Sequence, residues 1–303
     1  MKVIEKVQGL SQKQFLEDYL TKNVPVIVQN IEFDKRKWSP IYWKAAMGKR
    51  PVQVYDTLFD LQGVSSLSDY LRDHFGKTGP VSDNVPYIRW YSQLKNMDYI
   101  WSDEVFDKIK GFWKVPSLLP DSDYLVPLVP EGKKIDPRVD LFPYRGILLA
   151  ARGARTRVHR DPFCSDAVVC QYYGTKEVSL YGPDRTEELT VRPDADNSYS
   201  GFVDVRESDA NVLSHEPDFH GFLEPGEMIY IPHGWLHDVL VTSDSFSITW
   251  NFIHKKGATE FLNYLDGEPE KDSEYEVLNF FNGLLTDEIH APKDLLNYYR
   301  SMQ

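Results

Sequence analysis

The sequence predicts a mainly β fold with flanking helices, of the α+β class, whose centre is a sandwich, barrel or jelly roll. Seven short apolar stretches follow one another between residues 144 and 253, punctuated by Gly, Pro and Asp, as is typical of antiparallel strands joined by turns. Helical patterns stand on both sides of this region. At 303 residues, without internal repeats or low-complexity tracts, the chain is long enough to bury a sizeable core.

The region from residue 1 to about 140 predicts a mixed flank of helices and short strands. Helices are indicated in "SQKQFLEDYLTK", where Ser11 is a capping residue and Gln14 follows three positions later, in "SPIYWKAAMG", which ends at Gly48, and in "SLSDYLRDHFG". The segments "PVIVQN", "PVQVYDT" and "PYIRWYS" are typical of strands. These elements are expected to flank a sheet, but they do not indicate a particular reaction or ligand.

The region from about residue 141 to 255 predicts the β core. Its strands are expected in "RGILLAA", "TRVHRD", "DAVVCQYY", "KEVSLYG", "EMIYIP", "HDVLVTS" and "SFSITWNFI". In "YYGTKE", Gly174 and Thr175 fit a two-residue hairpin turn led by glycine. Residues 183–224 are polar and rich in Asp, so we expect a long insertion between strands, with His215 and His220 on its surface.

The last part of the chain, residues 256–303, predicts a helical segment. "ATEFLNYLDG", "SEYEVLNFFNGLL" and "PKDLLNYYRSM" carry Leu, Phe and Tyr at three- and four-residue spacing. So many apolar side chains need a surface to cover, which is either the β core or a second subunit. We expect a homodimer formed through these helices.

Charge and composition limit the partners and the compartment. The formal net charge of -12 provides no broad positive field for a nucleic-acid backbone, and it favours a small or cationic partner. The N-terminus lacks the apolar stretch of a signal peptide, and no apolar run reaches the roughly 18 residues of a membrane span. Cys164 and Cys170 stand in no metal-binding spacing and suit reduced thiols. We therefore expect a cytoplasmic protein, or a nuclear one in a eukaryote, without a membrane partner.

The segment "VHRDP" contains the first candidate metal ligands. Side chains two apart on a strand point the same way, so His159 and Asp161 converge while Arg160 faces the opposite side. Such a pair needs a third ligand, and His237 in "IPHGWLHDV" stands at the head of a strand, with His233 as its competitor in the same loop. Two imidazoles and one carboxylate form a facial triad that leaves open positions on Fe(II).

The strand "SFSITWNFI" has one polar and one aromatic face. Ser247, Thr249 and Asn251 alternate with large apolar side chains such as Trp250. The polar face lies either in water or inside a barrel around a metal. The pattern alone leaves both interpretations open.

Three segments resemble the JmjC/cupin-8 family of Fe(II)- and 2-oxoglutarate-dependent oxygenases. They are "TRVHRDPFCSDAVVCQYYGTKEVSLYGP", "PGEMIYIPHGWLHDV" and "FSITWNFI". The resemblance covers roughly residues 80 to 255 and is strongest to the small hydroxylase branch, which includes the asparaginyl hydroxylase that acts on hypoxia-inducible factor. It implies a double-stranded β-helix, also called a jelly-roll or cupin core, within a catalytic domain of residues 1–255.

The resemblance also implies a role for individual residues. The iron ligands of the family fall on His159, Asp161 and His237. The residues that contact 2-oxoglutarate or lie over it in the family fall on Lys176 in the turn "GTK", Thr156, Asn251 in "TWNF", and Tyr87 in "PYIRW". The residues alone are equally compatible with an exposed hairpin lysine at position 176 and an ordinary polar strand residue at position 156.

The function expected from the resemblance is an oxygenase that uses Fe(II), O2 and 2-oxoglutarate, hydroxylates an aliphatic C–H bond and releases succinate and CO2. A protein or peptide side chain is the first substrate class, and the acidic surface favours a basic segment. Demethylation of methyl-lysine, a tRNA base and a small natural product are alternative reactions or substrates. Two rival functions are a cupin metalloenzyme that does not use 2-oxoglutarate and a non-catalytic cupin-fold binding protein.

Overall fold

The computed structural model describes residues 1–82, 84–91, 103–127, 133–140, 142–192, 201–207, 215–267, 275, 278 and 292–301. Its N-terminal part contains seven short strands and four helices within these ranges. They are β1 (Lys2–Val3), β2 (Lys6–Val7), α1 (Gln12–Gln14, continued by a π-helix over Phe15–Leu20), β3 (Val26–Gln29), α2 (Pro40–Met47), β4 (Pro51–Tyr55), β5 (Leu61–Ser66), α3 (Leu67–His74), β6 (Tyr87–Tyr91), α4 (Asp103–Ile109) and β7 (Tyr124–Val126).

The β core follows, with eight strands, one short α-helix and the 3-10 helices Pro162–Cys164 and Pro183–Arg185 in the described part of the chain. They are β8 (Gly146–Ala150), β9 (Arg155–Arg160), β10 (Asp166–Tyr173), β11 (Lys176–Tyr181), α5 (Thr186–Leu189), β12 (Phe219–Leu223), β13 (Glu227–Ile231), β14 (Leu236–Val241) and β15 (Ser245–His254). Two further helices end the described chain, α6 (Ala258–Asp266) and α7 (Pro292–Ser301).

The eight core strands divide between two sheets. The larger sheet contains the order β13-β10-β15-β8, and the smaller one contains β12-β11-β14-β9. Strands β3 and β2 extend the larger sheet on one side, β6, β4 and β5 extend it on the other, and β1 extends the smaller sheet. Successive strands therefore alternate between the two layers, apart from the neighbours β11 and β12. This is the predicted jelly-roll core with flanking helices.

Serine residues begin the predicted helices of the flank. The Ser11 hydroxyl accepts a hydrogen bond from the backbone N–H of Gln14 at 3.3 Å, and the Gln14 side chain accepts one from the backbone N–H of Ser11 at 3.1 Å. This is the capping box that the sequence predicts, although the helix then widens into a π-helix at Phe15. Ser39 caps α2 through the backbone N–H of Tyr42 at 3.3 Å.

The turn between β10 and β11 requires glycine. Gly174 has a φ angle of +68°, and a Cβ atom there would lie 1.8 Å from the backbone oxygen of Asp244. The predicted hairpin led by glycine is confirmed, and Lys176 becomes the first residue of β11.

The sequence interpretation of residues 183–224 was wrong in one respect. Its last part is not an insertion loop, because β12 pairs with β11 over the full length of Phe219–Leu223 and completes the smaller sheet. His220 accordingly lies in a strand, where its ring contacts the Glu177 carboxylate at 3.2 Å. The segment "FHGFL" was missed because His and Gly interrupt its apolar pattern and depress its strand propensity.

Helices α1 to α4 cover the outer face of the larger sheet. The aromatic side of β15, which includes Phe246, Trp250 and Phe252, is fully buried beneath them, with Trp43 of α2 and Trp113 among the contacts. None of the helices in the described ranges has the length and apolar character that a bilayer-spanning segment requires.

The described C-terminal residues pack on the β core. Phe261 of α6 contacts Tyr299 of α7 with ring centroids 4.9 Å apart, and both belong to a buried cluster with Ile253 of β15. The predicted helix "SEYEVLNFFNGLL" lies outside the described residues, except for Tyr275 and Leu278, which are buried in this cluster. The division at residue 255 and the homodimer stay predictions.

Candidate active site

A bulge in β9 aligns the candidate site residues. His159 pairs with His237 and Thr156 pairs with Val239, so β9 advances three residues where β14 advances two. In a regular strand Thr156 and His159 would point to opposite faces, since side chains alternate. The extra residue brings both onto the inner face of the smaller sheet, where they line the same pocket.

Asp238 stands opposite this bulge and is fully buried on the outer face. One carboxylate oxygen accepts a hydrogen bond from Nε of Arg155 at 2.8 Å, and the other accepts one from Nε of Arg206 at 2.6 Å. Arg206 also reaches Glu177 of β11 at 3.3 Å. The charged groups thus tie β9, β11 and β14 together directly behind the pocket.

His159, Asp161 and His237 form one group of facing side chains. An Asp161 carboxylate oxygen lies 4.0 Å from Nε2 of His159, and the other lies 3.8 Å from Nε2 of His237. The ligand atoms that the three residues offer all lie within 4.8 Å of one another. The predicted triad is therefore assembled in space, and it is the one such group among the described residues.

Hydrogen bonds fix the orientation of both imidazoles. Nδ1 of His159 donates to the backbone oxygen of Arg157 at 2.8 Å, and Nδ1 of His237 donates to that of Trp235 at 3.3 Å. Burial, reinforced by His237 and Arg89, lowers the pKa of His159 well below its usual value. The Nε2 atoms of both rings thus face Asp161, and the lowered pKa keeps His159 in the neutral form that binds a metal. Two imidazole nitrogens and one carboxylate fit Fe(II).

The triad opens into a pocket between the two sheets. The cavity itself has a volume of about 70 Å³, and the wider space of about 770 Å³ includes open solvent at its mouth. Its walls beyond the triad are largely aliphatic, from Ala150, Ala167, Val169, Val178, Leu223, Ile229, Ile231, Val239 and Val241. These walls provide an environment that excludes water from the groups around the triad.

Lys176 lies inside this pocket, so it is not an exposed hairpin lysine. It is 4% exposed, and its ammonium group donates a hydrogen bond to the Ser247 hydroxyl at 2.6 Å. Burial, followed by the nearby charge of Arg89, lowers the pKa of Lys176 to about 7. A buried ammonium group of this kind is stabilised when a carboxylate binds beside it.

The remaining predicted residues also line the pocket. The hydroxyls of Thr156 and Tyr87 lie 3.4 Å apart and bridge the smaller and larger sheets. Asn251 donates its amide N–H to the Ser165 hydroxyl at 3.1 Å. Ser247, Thr249 and Asn251 are all buried, which confirms that the polar face of β15 lies inside the barrel.

His233, the alternative ligand in the sequence, lies in a different group. Its backbone N–H and Nδ1 contact the Asp166 carboxylate at 3.0 and 3.1 Å, and Tyr230 donates to the same oxygen at 2.6 Å. Burial lowers the pKa of His233, but the hydrogen bond and the charge of the Asp166 carboxylate together raise it by more. The pKa of His233 therefore lies above its usual value. These contacts hold the loop that leads to His237, and they engage His233 away from the triad.

Arg89 is a pocket residue to which the sequence assigned no role. It stands two positions after Tyr87 on β6, so both side chains face inward, and it is 8% exposed. Its guanidinium carbon lies 3.6 Å from the centroid of the Phe59 ring. The pairing of β6 with β8 places the face that Arg89 shares with Tyr87 in the barrel.

Comparison with known proteins gives one family match and several distant relatives. Residues 12–260 match the family model described as a cupin-like domain. The arginine-specific demethylase JMJ20 of Arabidopsis thaliana is 23% identical over 278 residues, which are 83% of this chain and 57% of that protein. The tRNA wybutosine-synthesizing protein 5 of Gallus gallus is 22% identical over 280 residues, 89% of this chain and 82% of that protein.

A further relative is the 2-oxoglutarate and iron-dependent oxygenase JMJD4 of Gallus gallus, which is 23% identical over 267 residues. These residues make up 83% of this chain and 60% of that protein. The chain thus spans less than two thirds of the length of two of these three relatives.

Proposed function

The chain belongs to the cupin-like domain family, and from this membership and its site we propose that it is an Fe(II)- and 2-oxoglutarate-dependent oxygenase. One observation carries the proposal: the His159, Asp161 and His237 group and a buried lysine line the same pocket. The three side chains supply ligands for the metal, and the buried lysine supplies a cation for the far carboxylate of the co-substrate.

Each site residue that was predicted from the sequence has a role in this proposal. His159, Asp161 and His237 hold Fe(II), which together with 2-oxoglutarate supplies the O2 chemistry that side chains lack. Lys176 binds the far carboxylate of 2-oxoglutarate. Thr156 and Tyr87 donate hydroxyl hydrogen bonds to it, and Asn251 lies over the same site. No side chain needs to act as a general base.

We propose that the reaction hydroxylates an aliphatic C–H bond of a protein or peptide side chain, with release of succinate and CO2. The likeness of its motifs to the small hydroxylase branch supports hydroxylation over demethylation. The acidic chain, at a formal net charge of -12, favours a substrate segment with basic residues, since long-range attraction increases the rate of encounter.

A tRNA base is the second candidate substrate. It is favoured by the similarity to the tRNA wybutosine-synthesizing protein 5, since this chain covers 82% of that protein. The net charge of -12 opposes it, because a polyanionic backbone requires a positive surface. The peptide substrate is therefore preferred.

The test is succinate formation by the purified protein with Fe(II), ascorbate, O2 and 2-oxoglutarate, with and without candidate peptides. We expect succinate from the wild type, and none above background from His237→Ala or Lys176→Ala. His220→Ala serves as the matched control, because His220 lies in the same sheet but outside the pocket lining, and it should keep wild-type turnover.

Three results separate the proposal from its rivals. Full turnover of Lys176→Ala would favour a cupin metalloenzyme that does not use 2-oxoglutarate. The absence of succinate, together with an unchanged melting temperature on addition of metal and 2-oxoglutarate, would favour a non-catalytic binding protein. An increase of one oxygen atom in the mass of a peptide, in step with succinate, would establish hydroxylation.

A further inference from the structure

Asp161 differs from the two histidines of the triad in how its position is fixed. His159 and His237 lie within β9 and β14, and Nδ1 of each ring contacts a backbone oxygen. Asp161 comes directly after Arg160, the last residue of β9. Its carboxylate does not cap the 3-10 helix that follows, and it accepts no hydrogen bond from the described residues. The position of this carboxylate therefore depends on the backbone beyond the strand.

The 3-10 helix Pro162–Cys164, directly after Asp161, has an unusual backbone. Phe163 has a φ angle of 60° and Cys164 has one of 51°, so both lie in the left-handed region. A Cβ atom makes this region unfavourable, above all in a bulky residue such as phenylalanine. Two such residues in succession persist only where the surrounding structure holds them. The turn after Asp161 therefore needs contacts from outside itself.

The Phe163 side chain provides these contacts on the side of the C-terminal helices. It is 2% exposed and belongs to a buried cluster with Phe261 of α6 and Tyr299 of α7. Its ring centroid lies 5.8 Å from that of Tyr144 and 6.3 Å from that of Tyr264 on α6. The C-terminal helices thus hold the backbone two residues after Asp161.

The far end of the turn is fixed by the larger sheet. The Ser165 hydroxyl accepts a hydrogen bond from the Asn251 amide at 3.1 Å, and β10 begins at Asp166, whose carboxylate accepts one from Tyr230 at 2.6 Å. Residues 161–164 lie between this end and β9. Phe163 is the one buried side chain among them, so it is the side chain that can determine their conformation.

We propose that Phe163 is a positioning residue for Asp161, and that the C-terminal helices stabilise the metal site through it. The inference rests on the proposed oxygenase function, because it concerns the metal ligands of that site. While Phe163 stays in the cluster, the turn is retained and Asp161 faces Nε2 of His159 at 4.0 Å and Nε2 of His237 at 3.8 Å. Without this contact the turn relaxes to ordinary backbone angles, and the carboxylate moves away from the histidines.

The test measures binding of Co(II) to the whole chain by calorimetric titration. Co(II) suits the purpose, because sites of this kind bind it more tightly than Fe(II), so weakened sites remain measurable. Loss of a group that orients a metal ligand lowers metal affinity by about 10- to 100-fold, so Phe163→Ala should raise the Kd at least about tenfold. Phe163→Leu keeps an apolar side chain in the cluster and should stay within about threefold of the wild type.

Two further variants separate positioning from general loss of stability. Phe106→Ala removes an equally buried ring from α4, in the cluster on the outer face of the larger sheet. It should lower the melting temperature but leave the Kd for Co(II) within about twofold of the wild type. Tyr264→Ala removes the contact from the side of α6, where the side chain is half-buried, and should raise the Kd about threefold.

A double-mutant cycle shows whether Phe163 acts through Asp161. Asp161→Ala should weaken Co(II) binding by itself. Phe163→Ala added to Asp161→Ala should have no further effect, since the group that Phe163 positions is then absent. A change that only destabilises the fold would weaken binding equally in both backgrounds.

Four outcomes overturn the proposal. They are wild-type affinity in Phe163→Ala, an equal loss in Phe106→Ala, wild-type affinity in Tyr264→Ala, and a further loss of about tenfold in the double variant. His159→Ala tests the metal site separately. If it binds Co(II) as tightly as the wild type, the proposed function fails and the role of Phe163 fails with it. If it binds more weakly while Phe163→Ala matches the wild type, the role of Phe163 alone fails.

Discussion

A change of pH tests the role of Lys176 without altering the protein. Burial and the charge of Arg89 lower its pKa to about 7, and only the ammonium form attracts a carboxylate. The apparent Kd for 2-oxoglutarate therefore equals the Kd of the fully protonated form multiplied by one plus the ratio of neutral to charged Lys176. This factor is about 2 at pH 7 and about 100 at pH 9, so binding should weaken about 50-fold between them. The sign follows from the lowered pKa, since binding is lost as the pH rises through it.

The measurement is calorimetric titration of 2-oxoglutarate into the Fe(II)-loaded protein without O2, at a series of pH values. Lys176→Arg is the matched control, because a guanidinium stays protonated across this range and its binding curve should be nearly flat. Lys176→Met should bind weakly at every pH. A wild-type Kd that does not change with pH, or an equal pH dependence in Lys176→Arg, would refute the assignment of this titration to Lys176.

Three further predictions concern the metal ligands and the framework behind them. His159→Ala removes one of three metal ligands, so Fe(II) should no longer raise the melting temperature as it does in the wild type; an equal rise in both would contradict the triad. Asp238→Asn removes the fully buried anion that two half-buried arginines share, leaving Asp204 and Glu177 as their anionic partners, and should reduce the free energy of unfolding by about 1.5 to 3 kcal/mol, measured with urea; a loss below about 0.5 kcal/mol would show that the network is dispensable. Gly174→Ala places a Cβ atom 1.8 Å from the Asp244 oxygen at a positive φ and should lower the melting temperature by several degrees, whereas an unchanged value would mean that the turn rearranges freely.

The local pattern of the sequence predicted much of the core. Alternating side chains identified the strands that carry His159, Asn251 and the Trp250 face, with Asp161 directly after the first of them, because the period of two is a local property. The glycine-led turn before Lys176 could also be predicted from the sequence, since a positive φ favours glycine.

Other features depend on pairing between distant segments, which the local pattern does not contain. The bulge that brings Thr156 and His159 to one face arises where β9 meets β14. The burial of Lys176 and the inward position of Arg89 follow from the closure of the barrel and the addition of β6 at its edge. Strand β12 was missed because its pairing with β11, and not its composition, makes it a strand.

The proposed oxygenase site is tested most directly by whether binding of 2-oxoglutarate depends on the metal centre. We would titrate 2-oxoglutarate, without O2, into the wild type with and without Fe(II) and into His237→Ala with Fe(II). We predict at least about tenfold tighter binding to the wild type with Fe(II) than without it, and His237→Ala with Fe(II) should match the metal-free wild type. Equal affinity under all three conditions, or no binding under any of them, would contradict a shared site for metal and co-substrate.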